Sequence, residues 1–366
     1  MKHLTVLLGL MLSARAASVS AQSCTATNIP IPSGRIIYVD DTHGQIYLYD
    51  FLSADSCTRP VAIPAWNLTA PTNPVFSPDG QGIAFSAVQT IDGFEQRHLF
   101  YWSIGAELPI NLTRALGNQR FEDVKFSPDG SEVVWKQSGA QGGIWTASFG
   151  FDAAGQPTIS NPLRRVPGAL GDQSEASGPV YSSDGNHLFY FTGSVCAKPQ
   201  QIRRFDFAGG GTSTAFDQQS AANYYYYPAV DLALGKFLYV SGPIHTCNAG
   251  GGGPDKIFYY PNADHIDSSQ PAIAWNAADG GADNSDPASI DGDYFIFSRN
   301  LVGGNNYKLY MGRLSTGDMW DLSPLNINNA NGSMLGSAYT PSRPTITPFS
   351  LGGPKYSPGY GRRDRP

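Results

Sequence analysis

Charge is scarce in this chain of 366 residues: Asp, Glu, Lys and Arg make up only 15% of it, and the formal net charge is −6. So few basic groups exclude nucleic acid or an anionic membrane surface as the main partner. No apolar run approaches the roughly 18 residues that would cross a bilayer, so no membrane span is expected. Cysteine is limited to four residues, and none form a C-x-x-C pair. A zinc ribbon and a thioredoxin-like redox motif are therefore excluded. Neither H-E-x-x-H nor G-x-S-x-G occurs, so no compact metalloprotease motif or serine nucleophile elbow is present. Any chemistry must come from residues scattered along the chain.

What the chain has in quantity is glycine (41), tyrosine (19) and a recurring phrase. Residues 74–85 read PVFSPDGQGIAF, residues 124–135 read VKFSPDGSEVVW, and residues 179–190 read PVYSSDGNHLFY. Weaker copies stand at 228–239 and 287–297. A period near 50 residues marks an array or a propeller. Within a unit, a short strand such as Val75-Phe76 meets the turn Ser77-Pro78-Asp79-Gly80, where proline pre-sets φ and glycine suits the last position. Strands over Ile83–Phe85 and Leu99–Trp102 follow, and Ile110–Thr113 closes the unit. Four short antiparallel strands make one blade.

The aromatic that ends each second strand supplies the count. Tyr38, Phe85, Trp135, Tyr190, Tyr239 and Phe297 are six anchors, spaced 47, 50, 55, 49 and 58 residues apart. Large rings suit the wedge between neighbouring blades. The first unit lacks its own first strand, and Ala338–Ser342 matches the missing phrase. The expected fold is all-β: a six-bladed propeller over 34–343, closed by pairing Ala338–Ser342 with Arg35–Tyr38, which removes two free sheet edges.

Residues 1–21 read as an export signal: Lys2 and His3, an apolar stretch from Leu4 to Leu12, and small residues before cleavage near Ala21. Loss of Lys2 and Arg15 with this segment takes the net charge from −6 to −8. Residues 22–33 form a leader, and 344–366, rich in proline and glycine, a mobile tail. The expectation is a secreted or periplasmic monomer. An even cysteine count in an exported chain favours disulfides, and the repeat register favours Cys24–Cys57 and Cys196–Cys247.

The phrase P-x-[FY]-S-P-D-G-x-x-[IV]-x-[FW] resembles the WD40-like (PD40) repeat of TolB-like six-bladed propellers. The resemblance is carried by residues 74–85, 124–135 and 179–190, and the weak copies extend it over most of 34–343. It implies the fold. About a dozen residues separate the signal from Arg35, without room for the N-terminal α/β domain that TolB carries, and no hydrolase domain follows. TolB function and peptidase activity are not implied.

In a four-stranded blade, the loop after the second strand and the loop leaving the fourth share one face. Here these include 87–98, 298–307, 114–123 and 276–286. The candidate ligand residues on that face are His43, His98, Arg120, Tyr224, Tyr226, His245 and Arg299. Two functions follow. One is a binding module for a glycan, a small molecule or a protein. The other is a lyase acting on a uronate polysaccharide, with Arg97 or Arg120 neutralising the carboxylate, His43 or His98 as base and Tyr226 as acid. No motif requires a cofactor. The acidic stretch Asp279, Asp283, Asp286, Asp291 and Asp293 offers oxygen ligands for Ca2+ or another divalent metal.

Overall fold

The computed structural model describes residues 28–30, 34–40, 44–51, 60–64, 66–168, 176–192, 201–208, 213–215, 223–230, 236–243, 254–260, 273–275, 281–290, 293–300, 307–325, 327 and 334–340. The signal, most of the leader, the tail, all four cysteines, His43 and His245 lie outside the described residues.

Among these residues the strands form six four-stranded antiparallel sheets. The first holds β1 (Arg35–Asp40), β2 (Gln45–Asp50) and β3 (Val61–Ala62). The second holds β4 (Thr69–Phe76), β5 (Gly82–Ile91), β6 (Phe94–Ser103) and β7 (Ile110–Asn111). The third holds β8 (Arg120–Phe126), β9 (Glu132–Ser138), β10 (Gly143–Phe151) and β11 (Pro157–Pro167). The fourth holds β12 (Ser177–Tyr181), β13 (His187–Thr192), β14 (Gln201–Asp206) and β15 (Ser213–Ala215). The fifth holds β16 (Asn223–Val230), β17 (Phe237–Pro243), β18 (Lys256–Tyr260) and β19 (Ile273–Ala274). The sixth holds β20 (Asp283–Ser289), β21 (Tyr294–Asn300), β22 (Lys308–Arg313) and β23 (Met319–Asp321). The last strand, β24 (Met334–Thr340), pairs with β1 in the first sheet, with Ala338 opposite Ile37 and Tyr339 opposite Ile36.

The repeated phrase folds the same way each time. Ser77 Oγ donates to Asp79 Oδ1 at 2.6 Å and accepts the Gly82 amide at 2.9 Å. Asp79 Oδ1 also accepts the Gln81 amide at 3.0 Å. Ser127, Asp129 and Ser131 repeat the pattern, as do Ser182, Asp184 and Asn186. Gly80, Gly130 and Gly185 close these turns at φ of 67°, 75° and 74°, a region open to glycine. The side chains bond the backbone that the turn leaves without sheet partners.

The six aromatic anchors are all buried between sheets. Tyr38 packs with Ile296 and Leu309 of the sixth sheet, and Phe85 with Ile37 and Val39 of the first. Trp135 packs with Leu99 and Tyr101, Tyr190 with Val134, Tyr239 with Phe189, and Phe297 with Leu238 and Val240. Each sheet therefore shares one apolar seam with the next, and the sixth shares one with the first. The first strands of the sheets also touch in order: β24 meets β4, then β8, β12, β16 and β20, and β20 meets β24.

The loop side differs from the sequence expectation. Residues 87–98 do not form an open loop. β5 and β6 run on as one hairpin that turns at Asp92-Gly93, with φ of 52° and 84°. Two left-handed residues form the tight turn whose twist matches the strands it joins. Phe94 at its tip is 68% exposed. β4 and β8 likewise start earlier than expected, so Arg120, Glu122 and Asp123 belong to a strand.

Candidate ligand-binding site

Five of the six first strands break register at the same place. The shifts fall between Thr72 and Val75, Glu122 and Lys125, Ser177 and Val180, Tyr226 and Ala229, and Ser285 and Ala288. The extra residue is a β-bulge. Asn73, Asp123, Gly178 and Asp286 sit in it with φ of 49°, 57°, 57° and 49°. Asn, Asp and Gly are the residues that enter this region most readily. The bulges thus place polar residues on first strands that contact one another in order.

Asp123 joins three sheets there. Asn73 Nδ2 donates to its Oδ1, and the Gly178 amide donates to Oδ2 at 3.2 Å. Burial, then the charge of Glu122, push its carboxyl up, while Lys136, the Gly178 amide and Lys125 pull it down; the balance is a raised pKa. Asp286, reaching in from the sixth sheet, is raised to about 7 by burial, with Asp123 and Asp283 adding repulsion against Ser285 and Lys125. Lys125 is lowered by burial and supported by Asp123 and Asp286. All three keep part of their surface accessible.

Around the rim, Glu122 gathers three cations. Arg120 Nη2 stands 2.7 Å from Oε1, Arg97 Nε 3.7 Å from Oε1 and Lys136 Nζ 3.8 Å from Oε2. Arg97 Nη1 also donates to Ala70 O at 3.0 Å and to the hydroxyls of Thr72 and Ser86, each at 3.3 Å. Burial lowers the Arg97 pKa, with Glu122 opposing that shift. The Arg120 side chain is 62% exposed. In the sixth sheet, Tyr307 donates its hydroxyl to Asp283 Oδ2.

The other predicted residues are distributed differently. His98 is 1% exposed, stacks on Phe121 with ring centroids 5.5 Å apart, and bonds Thr113 Oγ1 at 3.0 Å and Gln96 Oε1 at 3.2 Å. Burial, then Arg114, lower its pKa. Arg299 is buried as well, donating to Asn284 Oδ1 at 3.1 Å and lying 5.6 Å from the Tyr310 ring. Tyr224 and Tyr226 lie on β16, opposite Gly242 and Val240. The acidic stretch is divided: Asp283 and Asp286 stand on β20, whereas Asp293 is at the turn end with Arg313 and Ser315. Among the described residues no group of three His, Cys, Asp or Glu side chains converges as a metal site would require. A small apolar crevice between the first two sheets, about 20 Å³ in volume and lined by Ile46, Ile63, Trp66, Leu68 and Phe85 among others, holds no charged group.

The sequence reading singled out neither Asn73 nor Lys125, placed Asp123 in a loop of this face, and named Asp286 only as a candidate oxygen ligand for a divalent metal. The available signal was the residue before four of the five copies of the phrase, which is Asn73, Asp123, Gly178 or Asp286 where a strand would otherwise favour a β-branched residue.

No family model matches this chain, and no curated protein matches it. Solved structures do. TolB from Acinetobacter baumannii superposes with a TM-score of 0.54 at 16% identity, over 84% of this chain and 68% of that one. Hydrazine synthase of Kuenenia stuttgartiensis gives 0.58 at 11% identity, over 84% of this chain and 47% of that one. A puromycin hydrolase gives 0.52 at 13% identity, over 84% and 48%. The chain thus spans about two thirds of that TolB and under half of the other two. It has a TolB-like β-propeller fold, and at these identities the likeness is one of fold. Among the described residues no helix is long and apolar enough to cross a membrane.

Proposed function

We propose that this chain is an exported, non-catalytic binding module: a six-bladed propeller, closed by β24 pairing with β1, that takes a ligand or partner on the face carrying the β5–β6 hairpin and the start of β8. The observation that carries this reading is the convergence of partly accessible Asp123, Lys125 and Asp286 at the axis, beneath the rim of Arg97, Arg120 and Glu122. Sites gather where loops and strand ends from several elements meet over one concavity. Rigid sheets hold these groups in place, so little ordering is required on binding. Disulfides Cys24–Cys57 and Cys196–Cys247 belong to the same reading and are checked by non-reducing peptide mapping.

β-Elimination has less support. It needs a base free to reach a sugar proton; of its two candidate bases, His98 has both ring nitrogens engaged, and His43 lies outside the described residues. Incubation with uronate polymers separates the two functions, since a lyase builds up ultraviolet absorbance from unsaturated product and a binding module does not.

The direct test is substitution on both faces, against a binder taken from a glycan array or a pull-down. Arg120→Ala and Phe94→Ala should weaken binding tenfold or more, about 1.4 kcal/mol. His187→Ala, on the turn side beside Asp206, should leave affinity unchanged. Greater sensitivity on the turn side would reject the assignment of the face.

A further inference from the structure

We propose that Lys125 is the recognition group of this site for a ligand carboxylate, held on the axis between the third and sixth sheets. The proposal rests on the binding-module reading and adds the chemistry of the ligand.

Lys125 Nζ makes no hydrogen bond and no ion pair with any described residue, although it is densely surrounded by protein. An ammonium in that position is costly to leave without a partner. Its neighbours at the same register are Val75 on β4, Val180 on β12 and Ala288 on β20, so none of these described residues supplies an acceptor side chain at its own level. The nearest anions lie one level toward the rim. Asp123 already takes donors from Asn73 and Gly178, and Asp286 stands on β20, across the ring from β8. Both interact with Lys125 through charge, neither through contact. The position holds one free donor at a level where Val75, Val180 and Ala288 are apolar, and it keeps part of its surface accessible.

The ligand should carry one negative charge. Two aspartates flank the ammonium, and a phosphate dianion would meet repulsion from both. A carboxylate brings a single charge, accepts from the ammonium with one oxygen, and can accept from Asp286 with the other when that carboxyl is protonated. At the rim, Arg97, Arg120 and Lys136 gather on the carboxylate of Glu122.

The test follows the lysine side-chain resonances of isotope-labelled protein during titration with potassium acetate, with potassium chloride at equal ionic strength as reference. Absence of one signal in Lys125→Met assigns Lys125; if that variant does not fold, Lys125→Arg serves the same purpose. The Lys125 signal is expected to move with acetate and saturate, while the other lysines follow chloride. In Lys125→Met the acetate-specific rise in melting temperature should vanish. A Lys125 response no different from chloride, or one larger with inorganic phosphate than with acetate, overturns the proposal. This readout is independent of the two-face test: acetate can seat at Lys125 even if no larger partner uses the rim.

Discussion

Asp123 Oδ2 accepts the backbone amide of Gly178 at 3.2 Å, linking the bulge of the third sheet to the bulge of the fourth. Its other oxygen accepts from Asn73 of the second sheet. One side chain thus ties three first strands together. Asp123→Ala leaves a half-buried amide and a half-buried carboxamide without their acceptor, and each lost hydrogen bond costs about 0.5–1.5 kcal/mol. It should therefore lower stability by at least 1 kcal/mol in urea denaturation. Asn73→Ala removes one donor and should cost less. An Asp123→Ala protein as stable as the parent would show that the bulges are not coupled.

Gly178 carries a second constraint. Its φ is 57°, and a Cβ there would stand 2.5 Å from Cε1 of Phe191. Gly178→Ala therefore combines backbone strain with overlap against a buried ring, and a loss of roughly 2 kcal/mol or more is expected. Gly150 is the control, since a Cβ there meets nothing within 4 Å and its φ is unremarkable. Gly150→Ala should leave the denaturation midpoint nearly unchanged.

The repeat carried most of the architecture because each copy encodes its own turn. Ser, Asp and Gly at fixed offsets close the same hydrogen bonds three times, and the following aromatic reaches the same seam. Those are local interactions, and local interactions are legible in sequence. The axial cluster is not local. Asp123 and Asp286 lie more than 160 positions apart and influence one another only through the packing of separate sheets. His98 and Arg299 were drawn into the interior because their strands extend through the expected loops. Sequence marks where polarity lies, but strand length decides whether it faces water.

His98 should accordingly behave as a structural residue. His98→Ala removes its bonds to Thr113 and Gln96 and its stacking on Phe121. It opens a cavity beside Leu99, whose amide also depends on Thr113 Oγ1. A loss of about 2–4 kcal/mol is expected, read as a lowered melting temperature. Affinity of the folded fraction for a loop-face ligand should not change. Reduced affinity at unchanged stability would return His98 to the site.

Asp286 sets the pH dependence, and its sign is opposite to that of a typical carboxylate. Its folded pKa is raised to about 7 from 3.8, mainly by burial. Between those values the folded protein holds a proton that the unfolded chain has released. Stability falls wherever the folded state binds more protons as pH rises. The contribution is therefore complete below about pH 4 and lost as pH climbs through 7. Asp286→Asn cannot ionise, and removes this loss while keeping the shape of the bulge, since Asn tolerates positive φ. It also withdraws one anion from Lys125, but Asp123 remains. Each pKa unit corresponds to about 1.4 kcal/mol, so at pH 8 the variant should be more stable than the parent by about 1 kcal/mol or more. Near pH 4 the two should converge. Denaturation curves across that range decide the matter: a variant less stable than the parent at pH 8 would mean that Asp286 is held as a favourable anion by Lys125, and that burial is not the dominant influence on it.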